Sequence, residues 1–254
     1  MLRADYGQIA HTYDLARPLV DTRLGFWLDL FASAGRLRPG RWVLDLGCGT
    51  GRFSLPIARH LGCRVMGLDR SPEMLAQAGT KDPSREVAWV RGDASRLPCR
   101  DGSFDAALLS HLLHHVDEPA AVLRECRRVL VPGGVALVRY GAMAQIRDDP
   151  EHVFFPETVA VDEARTPEVG DVEEWLGAAG FARPCSQAVR ERDFASGEQR
   201  LEAARLRHTS VLTLIPEQAY SHGLARMEAY VAEHPGDDWL LHDTMTLTSA
   251  VAGA

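Results

Sequence analysis

The sequence lacks the features that mark secreted and membrane-spanning proteins. Its five cysteines are scattered, odd in number and never arranged as Cys-x-x-Cys, which gives no disulfide framework and favours a reducing compartment. No stretch reaches the roughly 18 apolar residues that a membrane-spanning helix needs. The first residues, MLRADYGQIAHTYD, lack the apolar core of a signal peptide. We therefore expect a cytoplasmic protein without a membrane span.

Basic residues are also scarce relative to acidic ones. The 254 residues include 28 Lys and Arg against 35 Asp and Glu, a formal net charge of −7. Proteins that bind nucleic acids normally present a basic face, so we expect no nucleic-acid partner. The hydrophobic share of 46% and the charged share of 25% are ordinary for a soluble protein. This length favours one α/β domain over two.

The most informative segment is Val43–Gly51, which reads VLDLGCGTG. An apolar run that contains an acid near its end and is followed by alternating glycines is typical of a buried strand that turns sharply into a helix. Glycine permits positive φ and lets a ligand lie against the main chain. A dinucleotide-binding fingerprint needs a third glycine where this chain has Arg52. Asp45 would also repel a pyrophosphate, so the segment favours a ligand whose cationic amine binds Asp45.

Two further apolar segments also lead to acids. Cys63–Leu68 leads to Asp69, about 20 residues after the glycines, which is the spacing expected of an acid that binds ribose hydroxyls. Met74 stands in the first turn of the next predicted helix, where its thioether can cover one face of an adenine. The strand Val87–Arg91 is followed by Asp93, a candidate acceptor for the adenine amino group. Together these positions predict a nucleoside site at one edge of a parallel sheet.

These segments resemble the class I S-adenosylmethionine-dependent methyltransferases. The likeness is closest to small-molecule enzymes of the ubiquinone and menaquinone biosynthesis type (methyltransferase type 11). It is carried, in the family's order, by VLDLGCGTGRFSLPIA at 43–58, GLDRSPEML at 67–75, GDASRLPCRDGSFDAALLSHLLHHVDEP at 92–119 and LRECRRVLVPGGVALV at 123–138.

The resemblance implies a fold, a cofactor and a reaction. The fold is α/β, a doubly wound, mostly parallel seven-stranded sheet with an N-terminal helical cap and a helical insertion before the last, antiparallel strand. The cofactor is S-adenosyl-L-methionine, released as S-adenosyl-L-homocysteine. The reaction is methyl transfer to an O, N or C atom of a small-molecule acceptor, by a monomer or a homodimer.

The resemblance also assigns roles to single residues. Met74 and Ala94 would flank the adenine ring. The family's cap pattern recurs as Tyr13…Arg17-Pro18, and Arg17 is a candidate partner of the methionine carboxylate, the alternative being a solvated arginine. The predicted cofactor-binding residues are Tyr13, Arg17, Asp45, Gly47, Cys48, Gly49, Asp69, Arg70, Met74, Asp93, Ala94, Ser110 and His111.

The predicted organisation is a single domain with three parts. Residues 1–38 form the helical cap, 39–140 the cofactor-binding core, and 141–254 a substrate-side region with a helical lid at about 195–235. The cap contains helices at Tyr6–Ala16 and Val20–Ala34. The remaining predicted strands are Trp42–Leu46, Phe104–Ser110, Val135–Tyr140, Arg183–Phe194 and Trp239–Val251, and the remaining helices are Arg52–Leu61, Pro119–Leu130, Asp171–Ala179 with Asp171 as N-cap, Glu198–Leu206 and Pro216–Glu233.

The chemistry leaves the catalytic residue open. Methyl transfer from a sulfonium is an in-line displacement, so alignment of the reactants dominates and a base is needed only for a protonated acceptor. His111, Tyr140 and Tyr6 are the candidates for a base or an acceptor contact, although a tyrosine at a strand end more often packs its ring. His111 and His115 would share one face of a helix, but no further ligand stands at a suitable spacing, so we expect no metal.

Two other functions fit parts of the sequence. One is a non-catalytic S-adenosylmethionine-binding module or partner subunit, although none of the motifs is broken. The other, a macromolecular methyltransferase, is disfavoured by the acidic balance. It is also disfavoured by Ser110-His111-Leu112-Leu113, which stands where base-methylating relatives carry Asn/Asp-Pro-Pro-Tyr.

Overall fold

The computed structural model describes residues 21–147 and 149–253. The predicted cap helix Tyr6–Ala16 lies outside the described residues, and so do the candidate site residues Tyr6, Tyr13 and Arg17. The second cap helix, predicted at Val20–Ala34, is present as α1, Asp21–Gly35.

A mixed seven-stranded sheet forms the centre of the described part of the chain. Its order is β3-β2-β1-β4-β5-β7-β6, and β7 runs antiparallel to both of its neighbours while the other pairs are parallel. The predicted fold class is therefore confirmed. The strands are β1 Trp42–Leu46, β2 Arg64–Asp69, β3 Val87–Arg91, β4 Phe104–Ser110, β5 Leu130–Tyr140, β6 Phe181–Arg192 and β7 His242–Ala252.

Helices cover the sheet and fill the segment before β7. The helices after α1 are α2 Ser54–Leu61, α3 Pro72–Thr80, α4 Pro119–Val129, α5 Met143–Ile146, α6 Pro150–Phe154, α7 Glu157–Glu163, α8 Val169–Ala178, α9 Gly197–Arg205 and α10 Glu217–Glu233, with short 3-10 helices at Leu113–His115, Val211–Thr213 and Asp238–Leu241.

Several predicted boundaries are wrong by a few residues, among them both ends of the strand predicted at Arg183–Phe194, and three differences have clear local reasons. β5 begins at Leu130 rather than Val135, because Leu130 pairs with Phe104 before a register shift. The N-cap of α8 is Glu168 rather than Asp171, whose carboxylate instead accepts a hydrogen bond from the Glu168 N–H at 2.8 Å. The final strand begins at His242 rather than Trp239, because the 3-10 helix precedes it.

The alternation of side chains along β1 decides which face of the sheet receives Asp45. Val43 packs into an apolar cluster with Trp27 and Phe31 of α1, whereas Leu44 and Leu46 belong to the cluster on the opposite face. Successive side chains of a strand point to opposite faces, so Asp45 lies on the face that carries α1. This placement directs its carboxyl group away from the helices α4 and α8.

The predicted helical lid is present as α9 and α10, between β6 and β7. It has an apolar cluster of its own, which includes Phe155, Tyr220 and Met227. Gly223 of α10 brings the helix against the ring of Phe155, since a Cβ at this position would meet that ring and lie 2.8 Å from the carbonyl oxygen of Phe154. The lid is thus packed on the segment that follows β5.

We expect Gly223→Ala to lower the free energy of unfolding by about 1–3 kcal/mol, because added volume in a packed core forces strain. Gly177→Ala in α8 is the matched control, since nothing lies within 4 Å of its Cβ position and alanine favours a helix over glycine. Urea denaturation measures both variants. A Gly223→Ala variant that is as stable as wild type, or more stable, would contradict the close packing of α10 on Phe155.

Candidate functional site

The glycine turn after β1 is held against the end of β2. Gly47, Gly49 and Gly51 have φ of 68°, 54° and 76°, which is the left-handed region that favours glycine. The N–H groups of Gly47 and Cys48 donate to the carbonyl oxygen of Leu68 at 2.8 and 3.1 Å. The turn therefore presents main chain, rather than side chains, to the space beyond the strand ends.

Asp69 fixes this turn with both carboxylate oxygens. Oδ2 accepts from the Gly49 N–H at 2.9 Å, and Oδ1 accepts from the Ser71 N–H at 2.9 Å. Ser71 in turn caps α3 by accepting from the Met74 N–H at 3.1 Å. One carboxylate thus links the glycine turn, the end of β2 and the start of α3.

A cavity of about 890 Å³ lies at the carboxyl ends of the strands, and we call it the large cavity. Asp93 lies at its wall, where Oδ1 accepts from both the N–H and the hydroxyl of Ser95 at 2.8 and 2.7 Å. Most of the predicted cofactor-binding residues line this cavity: Gly47, Gly49, Asp69, Arg70, Met74, Asp93, Ala94, Ser110 and His111.

A second cavity of about 140 Å³ adjoins the first, and we call it the small chamber. The two share Gly47, Gly49, Ser110 and His111 as lining residues. Two predicted residues, Asp45 and Cys48, line only the small chamber. The other charged or imidazole side chains that line it come from distant parts of the chain: Arg23, Arg52, His111, Arg139, Asp193, His208 and Asp243.

Asp45 is buried at the wall of the small chamber. Its Oδ2 accepts from the hydroxyl of Ser54 at 2.5 Å. Burial raises the pKa of Asp45 to about 7, with a smaller contribution from the charge of Asp69, while the hydrogen bond from Ser54 lowers it. Near neutral pH this carboxyl group can therefore be either protonated or charged, and a cationic ligand would favour the charged form.

His111 occupies the corner between the two cavities in a left-handed conformation with φ of 53°. Its Nε2 lies 2.6 Å from Nη1 of Arg139. A guanidinium only donates hydrogen bonds, so Nε2 is the acceptor and the imidazole is neutral with its proton on Nδ1. The segment after it forms a 3-10 helix at Leu113–His115, so the helical i, i+4 relation assumed for His111 and His115 is wrong.

Glu191 of β6 is the anion that balances the buried Arg139. It accepts from Nη2 of Arg139 at 3.0 Å, from Nε1 of Trp27 at 2.6 Å and from Nε of Arg23 at 2.9 Å. The guanidinium of Arg139 also lies over the ring of Trp27, 4.4 Å from its centroid. Four groups from α1, β5 and β6 thus form one network, and two of them, Arg23 and Arg139, line the small chamber.

The lid contributes a second buried charge group. Arg200 of α9 donates to Asp149 and to Asp243, each at 2.8 Å. Burial and the neighbouring Asp243 raise the pKa of Asp193 to about 9. Although burial opposes its ionisation, Arg200 lowers the pKa of Asp243. Asp193 and Asp243 are hydrogen-bonded to each other, and at neutral pH the two carboxyl groups together therefore carry one negative charge rather than two.

The sequence did not predict this cluster of charges, and the candidate acceptor contact Tyr140 lies away from both cavities. Tyr140 lines neither cavity, because its ring is buried and its hydroxyl lies 3.1 Å from Oγ1 of Thr248 within the sheet. The neighbouring Arg139, a charged residue in the apolar run Val135–Tyr140, is the one signal that pointed to the chamber.

Comparison with known proteins agrees with this geometry. Residues 44–138 match the sequence profile of a family described as "Methyltransferase domain". The match covers the stretch from β1 to the end of β5, which contributes Asp45, Asp69 and Asp93 to the two cavities.

Two curated relatives extend the likeness of the methyltransferase domain. A 2-phytyl-1,4-naphtoquinone methyltransferase of Synechococcus elongatus is 37% identical over an alignment 142 positions long, which covers 52% of this chain and 60% of that protein. A demethylmenaquinone methyltransferase of Beutenbergia cavernae is 38% identical over 134 residues, 52% of this chain and 55% of that protein. The chain therefore matches little more than half the length of either relative.

A solved structure shows the same fold over nearly the whole chain. Phosphoethanolamine N-methyltransferase 2 of Haemonchus contortus, solved with phosphomonomethylethanolamine and S-adenosylhomocysteine, has a TM-score of 0.66 at 20% identity. The alignment covers 98% of this chain and 58% of that one.

Two further observations concern metal binding and membrane insertion. In residues 21–147 and 149–253, no group of three or more His, Cys, Asp or Glu side chains is arranged to hold a metal ion. Among the helices of the same residues, none has the length and apolar character that a bilayer crossing requires.

We expect Glu191→Gln to lower the free energy of unfolding by about 3 kcal/mol, because it leaves the buried guanidinium group of Arg139 without its anion. Glu174→Gln on the exposed face of α8 is the control. Chemical denaturation of both variants measures the difference. Equal denaturation midpoints for Glu191→Gln and Glu174→Gln would show that the carboxylate of Glu191 does not stabilise the fold.

Asp45 predicts a pH dependence of stability in the absence of ligand. Its pKa is about 7 in the folded protein and 3.8 in the unfolded chain, so between these values the folded state binds more protons and stability falls as pH rises. Between pH 5 and pH 8 wild type should lose about 2–3 kcal/mol relative to Asp45→Asn, which cannot ionise. Urea denaturation across this range measures the difference. Parallel stability curves would show that Asp45 titrates normally.

Proposed function

We propose that this protein transfers a methyl group from S-adenosyl-L-methionine to a small-molecule acceptor by in-line displacement. The observation that carries the proposal is the meeting of the large cavity and the small chamber at the glycine turn. One cavity has the size and polar edge for a nucleoside, and the other has a buried acid for an ammonium group. The methyltransferase domain match supports the same reaction.

The large cavity has the groups that a nucleoside requires. Asp69 lies where vicinal hydroxyls can donate to a carboxylate, since each of its oxygens accepts one backbone N–H and retains further acceptor capacity. Met74 and Ala94 line the same cavity as apolar surfaces for a base. Asp93, which directly precedes Ala94 and lines the same cavity, would accept from an exocyclic amine. These roles of single residues are part of the proposal.

The small chamber has the groups that an amino acid moiety requires. Asp45 would bind its ammonium group, and the main chain of Gly47 and Gly49 would lie against its carbon chain. When bound, S-adenosylmethionine supplies a methyl group on a sulfonium, with a neutral thioether as leaving group. The protein's task is then to align the acceptor with that carbon and to exclude water.

The acceptor would lie beside the cofactor, where the lid segment between α9 and α10 reaches both cavities. His208 of this segment lines the small chamber, and Ser210 lines the large cavity. The names of the curated relatives describe quinone substrates, and we propose a small-molecule acceptor for this chain on that basis. A monomer or homodimer without nucleic acid, located in the cytoplasm, stays a prediction.

Binding of S-adenosylhomocysteine, measured by calorimetry, tests the proposal. We expect one site, and we expect Asp69→Asn to weaken binding at least about tenfold through loss of charge-assisted hydrogen bonds. Asp101→Asn is the matched control, because that side chain is 79% exposed and lies before β4, away from both cavities.

A labelled-methyl transfer assay with a metabolite extract separates an enzyme from a binding module. Binding together with transfer into a small-molecule fraction supports the proposed function. Binding without any transfer would favour the non-catalytic module, and absence of binding would contradict both functions.

A further inference from the structure

Arg200 of α9 is a fully buried cation that joins the lid to three other segments of the chain. Its Nη1 donates to the carboxylate of Asp243 at 2.8 Å and to the carbonyl oxygen of Leu240 at 3.2 Å. Its Nη2 donates to the carboxylate of Asp149 at 2.8 Å. The guanidinium also lies over the ring of Phe194, 4.8 Å from the centroid. One side chain of the lid thus holds the residue before α6, the segment after β6 and the start of β7.

Arg200 lines neither cavity, but residues that it contacts do. The small chamber is lined by five residues of the lid and its flanking segments, which we call the lid-side residues: Asp193, Phe194, His208, Thr209 and Asp243. Arg200 contacts Phe194 and Asp243 directly. Asp193 is joined to it through the hydrogen bond with Asp243. Any influence of Arg200 on the chamber therefore passes through these side chains.

The other lid-side residues are bound to the start of α6. Nε2 of His208 lies 2.8 Å from Oε1 of Glu151, and the hydroxyl of Thr209 donates to Oε2 of the same carboxylate at 2.7 Å. The N–H of Glu151 donates in turn to the carboxylate of Asp149 at 2.9 Å. The ring of His208 also meets the ring of Phe194 edge-on, with their centroids 5.7 Å apart. The lid-side residues thus form one connected group with Arg200.

The charge of Arg200 keeps this group in place. Arginine is not deprotonated in proteins, so its buried guanidinium needs nearby anions. Burial raises the pKa of Asp149 to about 7, against the attraction of Arg200. Although burial opposes its ionisation, Arg200 lowers the pKa of Asp243. Removing one partner of a buried ion pair leaves the other charge uncompensated, so a neutral side chain at position 200 would release Asp243 from its present position.

The amino-acid moiety of the cofactor depends on a closed small chamber. In the proposed function its ammonium group binds the buried carboxyl group of Asp45 there. An ion pair is much stronger in a site that excludes water than in water itself. Lid-side residues that stay in place exclude water from this pair and contact the carbon chain beside it.

We propose that Arg200 is a positioning residue that holds the lid-side residues against the amino-acid moiety of the cofactor, so that docking of the lid and binding of this moiety favour each other. This inference rests on the proposed function, whose cofactor site it completes. Such coupling is reciprocal, so the bound cofactor also stabilises the docked lid. Among the described residues of the lid and its flanking segments, only Ser210 lines the large cavity. Binding of the nucleoside part should therefore depend little on Arg200.

Two ligands that share the nucleoside and the sulfur separate this role from a general loss of structure. S-adenosylhomocysteine carries the amino-acid moiety, and methylthioadenosine lacks it. In calorimetry on the full chain, we expect Arg200→Met to weaken binding of S-adenosylhomocysteine at least about tenfold and that of methylthioadenosine by less than about twofold. Arg200→Lys keeps the charge and should recover part of the loss. Arg205→Met is the matched control, because that side chain of the same helix is 44% exposed and pairs with Glu202 and Glu228.

Amide hydrogen exchange of the wild-type chain tests the reciprocal effect without a substitution. We expect saturating S-adenosylhomocysteine to slow exchange in α9 more than saturating methylthioadenosine does, because only the former fills the small chamber. Helix α8 is the internal control, since it packs in a different apolar cluster from α9. Its exchange should respond equally to the two ligands.

The outcomes separate this inference from the proposed function. If S-adenosylhomocysteine does not bind wild type, the proposed function fails. If it binds, the positioning role alone is overturned when a folded Arg200→Met keeps wild-type affinity or loses affinity for both ligands to the same extent. The role is also overturned when S-adenosylhomocysteine leaves exchange in α9 unchanged, or when both ligands slow it equally. The exchange experiment decides the matter if Arg200→Met does not fold or if methylthioadenosine does not bind.

Discussion

The carboxylate of Asp69 is the interaction on which the candidate site depends. It accepts one N–H from the glycine turn after β1 and one from the start of α3, so a single side chain joins three elements at the edge of the sheet. The turn can approach β2 so closely because Gly51 and Gly67 leave no side chain in front of the ring of Trp89. Without this arrangement the main chain would not border both the large cavity and the small chamber.

The small chamber combines residues of the strand edge with residues from other parts of the chain. Its framework is the strand edge of the segment that matches the methyltransferase family, but several polar lining residues come from elsewhere in the chain: Arg23 of α1, Arg139 of β5, Asp193 just after β6, His208 between the lid helices and Asp243 of β7. Glu191 joins α1 to the sheet, and Arg200 joins the lid to β7. Buried ion pairs contribute less to stability than their number suggests, because desolvation opposes them. Their consequence here is a charged wall beside the glycine turn.

The sequence predicted the sheet well because its parallel strands are buried apolar runs with clear turn signals. Asp69 and Asp93 are found at the predicted strand ends for that reason, and Asp45 follows from the alternation of β1. The charged wall was not predictable in the same way. Glu191 lies 168 residues from Arg23 and 52 from Arg139, so only the order of β5, β7 and β6 in the sheet brings them together.

A crystal structure with bound S-adenosylhomocysteine tests the central claim most directly. The account predicts adenine beside Met74 and Ala94, ribose hydroxyls on the carboxylate of Asp69, and the homocysteine amine facing Asp45 in the small chamber. A nucleoside bound outside the large cavity, or an amine turned away from Asp45, would contradict it.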